Sequence, residues 1–156
     1  MRWEMLENTN FDWLDDYPWV RARFVDQHGS EPDACGRELA RFFELTRWTE
    51  KPLAMISRNI DLLWHTFIQS TESYASFCQL SFGEVIHHRS RTPFSPVPDQ
   101  AVRNFCECYE GRFGPVPDIW MEDADPELVA FARGNSEQIP EAIAWSGWPG
   151  RSSSVI

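Results

Sequence analysis

No run of 18 apolar residues occurs in this 156-residue chain, so its sequence predicts no membrane-spanning helix. C-x-x-C and H-E-x-x-H are both missing, so no metal motif of standard spacing is present. Basic charge is also short. Lys and Arg number 14 against 24 Asp and Glu, for a formal net charge of −10. A nucleic-acid phosphate backbone or an anionic membrane needs clustered cations, so neither is expected as the main partner. The acids are spread along the chain and interleaved with Arg, which argues against an acidic DNA mimic. Two short acidic clusters, "DWLDDY" and "DIWMEDADPE", read as solvated surface. The N-terminal stretch "MRWEMLENTNFDWLDDY" has no apolar segment and is acidic, so it does not read as a signal peptide. Cysteines are few: Cys35, Cys78, Cys106 and Cys108. A cytoplasmic location with free thiols is the expectation. Strand-like alternation of useful length, internal repeats and low-complexity blocks are all absent.

Aromatic residues, by contrast, are abundant: eight Trp, eleven Phe and three Tyr. Large rings fill a small core efficiently, and they also serve binding surfaces. The length suits one domain. The pattern predicts an all-α fold with about four main helices, a single helical domain over 1–134, and a loosely packed, partly disordered C-terminal arm over 135–156. A first helix is expected over Leu14 to Gln27, capped by Asp15 or Asp16 and closed at Gly29. A second runs from about Asp33 to Trp48, with Leu39, Phe42, Phe43 and Leu45 on its buried side. A helix over about Asp99 to Arg112 carries Val102, Phe105, Cys106 and Tyr109, and a short one spans Pro126 to Ala132. Between them, "HHRSRTPFSPVPD" has three prolines and must cross without helix.

The third helix, predicted over 59–81, is the central element. Ile60, Trp64, Phe67, Ile68, Thr71, Tyr74, Ala75 and Cys78 follow helical spacing as one apolar stripe. Asp61 and His65 are one turn apart on a neighbouring face, with Glu72 near the same line. After Gly83 the chain presents His87 and His88. On a continuous helix Cys78 would be ~20 Å from His65, which keeps it out of any shared site. Seven extended residues back from Leu80 reach ~23 Å, enough to bring a histidine to the level of His65. Only one of two adjacent histidines would face inward. A carboxylate with two imidazoles suits a divalent metal such as zinc. The same set could be a structural clasp of hydrogen-bonded side chains. An acid–base dyad of His65 and Asp61 has an orienting carboxylate, but no nucleophile or oxyanion hole is evident.

The stretch "RFFELTRWTEKPLAMISRNIDLLWHTFIQSTESYASFCQLSFGEVIHH" resembles the glycine-rich-domain-containing-protein-like family of plants, fungi and bacteria. The family pattern is D-x-x-W-H with a following Ile or Leu, T-x-x-Y, a Cys, a Gly and a closing H-H. Asp61, Trp64, His65, Ile68, Thr71, Tyr74, Cys78, Gly83, His87 and His88 match it, and "FCECYEGRFGPVPDIW" matches a downstream piece. The resemblance covers about residues 37–121. It implies a polar set of Asp61, His65, His87 and His88 beside an aromatic and structural set of Trp64, Tyr74, Cys78 and Gly83. Plant members carry glycine-rich regions, whereas this chain has eight Gly and no such region. The expected function is a binding domain with one divalent metal ion. The alternative is a metal-independent protein-interaction module using exposed aromatics such as Trp13, Trp145 and Trp148, and a third class is a hydrolase with metal-activated water.

Overall fold

A computed structural model describes residues 13–88, 99–135 and 137. The fold is all-α. In chain order it has a 3-10 turn, η1 (Trp13–Asp16), then α1 (Pro18–Asp26), α2 (Pro32–Trp48), α3 (Arg58–Ile68), α4 (Thr71–Phe82) and α5 (Asp99–Phe113). A second 3-10 turn, η2 (Asp118–Trp120), and α6 (Pro126–Ala132) follow. Three helices begin with proline, whose fixed φ suits the first turn and whose missing N–H would have no helical acceptor there. Two compact units result, Met1–Thr49 with Asn59–Ile86, and Glu50–Arg58 with His87–Ile156.

The first unit is built around rings. Phe67 lies within 4.8–5.4 Å, centroid to centroid, of Trp13, Tyr17, Tyr74 and Phe77. Phe43 meets Trp64, Phe77 and Phe82 from the α2 side. Trp13 is fully buried, and its indole N–H donates to the Gly36 carbonyl at 2.8 Å. This corrects the expectation that Trp13 is an exposed interaction residue. The η1 turn folds its ring under α2 against Phe67 and Phe77, and its one polar atom is satisfied there. Trp145 and Trp148 lie outside the described residues, as do the arm beyond 137 and the crossing segment 89–98.

Helix starts differ from the acid-cap reading in two places. Tyr17, not Asp15 or Asp16, precedes α1, and Glu31 in the left-handed region (φ 51°) precedes α2. The Pro–Asp order explains the second case, because Pro32 takes the first helical position and pushes Asp33 into the first turn. Asn59, expected as a cap, instead bonds back to Ser30, accepting from its N–H at 3.1 Å and donating to its carbonyl at 2.8 Å.

The predicted helix over 59–81 is two helices. Residues Gln69 and Ser70 separate α3 from α4, and the Ser70 N–H turns back to the Phe67 carbonyl at 3.1 Å. The local cause is the polar run "QSTES". Ser and Thr compete for backbone groups and hold a helix interior weakly. The Gln69 side chain accepts from Arg23 of α1 at 3.1 Å, which fixes the joint. Glu72 therefore falls in the exposed first turn of α4 rather than in line with Asp61 and His65.

The second unit has its own ring cluster. Phe105 stacks at 4.6 Å on Trp120, and Tyr109 lies beside Phe105, Phe113 and Trp120. Its extended entry is tied to α5 by the Ala54 N–H to the Ala101 carbonyl (3.2 Å) and by Asn104 Nδ2 to the Pro52 carbonyl (3.0 Å). On α5 the C-x-C pair divides as helical geometry requires, with Cys106 buried and Cys108 half-buried.

Candidate metal centre

Asp61 sits in the first turn of α3 and is 5% exposed. Side chains on a helix lean toward its N-terminus, so His65 reaches back one turn over Asp61. His65 Nε2 lies 3.4 Å from Asp61 Oδ2, and the His65 side chain is 36% exposed. Trp64 points the other way, fully buried against Phe42 and Phe43. The adjacent Trp–His pair thus marks the border between the aromatic core and a polar edge.

The joint between α3 and α4 sets the next piece. The Trp64 indole N–H donates to the Tyr74 hydroxyl at 2.9 Å. Ten residues on a straight helix would span ~15 Å, so this bond exists only because the helix breaks. The Tyr74 hydroxyl in turn donates to the Ile86 carbonyl. The Cys78 thiol shares this corner with the Ile86 backbone and the Tyr74 hydroxyl. Burial raises its pKa, and those two hydrogen bonds oppose the rise. Burial likewise drives the Tyr74 pKa well above the ordinary tyrosine value, with Cys78 adding to the rise and the Trp64 bond working against it. Tyr74 therefore stays a proton donor at any ordinary pH. Gly83 ends α4 in the left-handed region at φ 79°, with its N–H on the Gln79 carbonyl, and frees the chain to turn toward Ile86.

His88 follows two residues after Ile86, within ~7 Å of chain. Asp61, His65 and His88 each offer a ligand atom, and these atoms all lie within 4.8 Å of one another. His87 is exposed and outside this group, which matches the alternation expected of an extended segment. Cys78 is outside it too. The helix-rise argument against Cys78 loses its premise at the joint, and the thiol is turned instead to Tyr74 and Ile86. His28 lies far along the chain, exposed at the end of α1 with φ 67°.

The spacing has chemical content. A charge-assisted N–H···O⁻ bond is usually ~2.7–2.9 Å long. Two ligand atoms each about 2.1 Å from a tetrahedral zinc lie about 3.4 Å apart. The Asp61–His65 separation matches the second figure. One carboxylate and two imidazoles form a mixed oxygen–nitrogen set suited to zinc or another divalent first-row ion.

Fold and cluster together define a class: an all-α protein with an acid–histidine group capable of holding a metal at the edge of an aromatic core. The chain belongs to the UCP032817-like family, whose match spans residues 6–109 and so includes all three members of the group. No curated protein and no solved structure gives a significant match. Among the described residues, no helix is long and apolar enough to cross a membrane.

Proposed function

We propose that this chain is a binding domain that holds one divalent metal ion, zinc first among candidates, through Asp61, His65 and His88. The observation that carries this reading is the convergence of one ligand atom from each residue within 4.8 Å, with the Asp61–His65 edge at a ligand-like 3.4 Å. The resemblance of D-x-x-W-H and H-H to the glycine-rich-domain-containing-protein-like pattern supports it, because the three residues all fall on pattern positions. Elemental analysis of purified protein and calorimetric titration with Zn²⁺ test it, with His65→Ala and His88→Ala as controls. One ion per chain, lost in both variants, is expected. Equal zinc uptake by wild type and both variants would refute it.

A polar clasp is the second reading, favoured by the burial of Asp61 beside His65. It assigns the pair to stability alone. The readings part on linkage: metal bound only to the native state stabilises by about 2.7 kcal/mol at a hundredfold excess over Kd. A clasp predicts no zinc-dependent change in the unfolding midpoint, and a fall in stability for His65→Ala in the presence of a chelator.

A further inference from the structure

We infer that a metal held by Asp61, His65 and His88 keeps an exchangeable position, and that its physiological occupant is a small oxyanion of the carboxylate or phosphate class. This rests on the metal reading above and adds what the metal is for.

Three observations support it. Structural zinc sites close with four protein ligands, whereas sites that act on an outside molecule keep three and leave one position to solvent. Among the described residues the group has three members. The chain that follows His88 cannot complete it with a standard side chain, since residues 89–98, "RSRTPFSPVP", contain no Asp, Glu, His or Cys. The second observation is access. Asp61 is buried, but over a third of the His65 side chain faces solvent, so the group opens outward on the His65 side. The third is charge. A divalent ion with one carboxylate and two neutral imidazoles carries a net charge of about +1, which favours an anion over a neutral ligand at the open position.

Cobalt(II) is the probe, because its visible spectrum reports coordination number and ligand exchange. The protein would be loaded with one equivalent of Co²⁺, then titrated separately with acetate and with inorganic phosphate. A saturable change in the cobalt bands with either anion, absent in His65→Ala, is expected. Which anion saturates at the lower concentration separates a carboxylate ligand from a phosphate one. Cobalt bound with a spectrum that neither anion alters would overturn the inference while leaving the metal reading intact. Failure to bind cobalt or zinc at all would overturn both. Loading by Tyr74→Phe at reduced affinity with the same anion response would confirm that the response belongs to the ligand set and not to the scaffold.

Discussion

Replacing Tyr74 with Phe should cost more than the loss of one hydroxyl suggests. That oxygen is a relay, accepting from the Trp64 indole at 2.9 Å and donating to the Ile86 carbonyl. Trp64 is fully buried, Tyr74 is 5% exposed and Ile86 is 6% exposed, so water cannot simply take the oxygen's place. Leaving a buried polar group unsatisfied costs about 1–3 kcal/mol, and the substitution strips the partner from two. The expected loss is thus roughly 2–5 kcal/mol, against about 1 kcal/mol for a typical solvated hydrogen bond. Urea unfolding followed by tryptophan fluorescence would measure it. With an m-value of about 1–3 kcal/mol/M, the midpoint should fall by on the order of 2 M. The ring itself stays, so packing against Phe67 is retained and the change isolates the hydroxyl. A loss below about 1 kcal/mol with unchanged m would refute the relay, because the oxygen would then be no better placed than a surface hydroxyl.

Other consequences are as direct. At Gly29 an added Cβ would lie 2.3 Å from the buried Phe24 ring, so Gly29→Ala should destabilise by about 1–3 kcal/mol and lower Tm accordingly in a thermal scan. Burial, assisted by Glu110 and Glu107, raises the Cys106 thiol from the ordinary 9.0 to about 11. The native state then holds its proton after the unfolded chain has released it, so this contribution is constant below pH 9 and falls away as pH climbs toward 11. The loss is roughly 2–3 kcal/mol, and Cys106→Ala should flatten the alkaline limb of a stability–pH curve. Under native conditions at mildly alkaline pH, Cys108 should alkylate well before Cys106, as mass spectrometry of a labelling time course would show. Asp125 caps α6 by accepting from the Glu127 N–H at 3.0 Å, and Asp125→Ala should cost about 0.5–2 kcal/mol, read as a midpoint shift in urea.

Periodicity and proline placement made most helices readable. The α6 bounds follow from Asp125, Pro126 and the apolar pair Leu128 and Phe131, signals that local chemistry sets without help from packing. Asp61 and His65 were legible as a pair because four residues on one helix fix their relation. The break at Gln69–Ser70 was harder, since the apolar stripe keeps its phase across it and hides it. The cue was the polar run "QSTES", a propensity signal that periodicity outvoted. Which of His87 and His88 turns inward depends on a tertiary contact, the Tyr74–Ile86 bond, and adjacent identical residues carry no local mark of it. The burial of Trp13 was illegible for a similar reason. Its partner Gly36 is 23 residues away, and no pattern near Trp13 announces it.

The joint between α3 and α4 also bears on how the site comes together in time. The Trp64–Tyr74 and Tyr74–Ile86 bonds close loops of only 10 and 12 residues. Loop-closure entropy grows slowly with length but is least for short loops, and closures of this size take on the order of 10–100 ns. The Trp13–Gly36 contact needs a longer closure that brings an earlier part of the chain into place. The corner that presents His88 is therefore assembled by nearest neighbours in sequence. A chain still lacking its α1–α2 packing already has the means to bring Ile86 back to Tyr74, so the binding edge does not have to wait for the core.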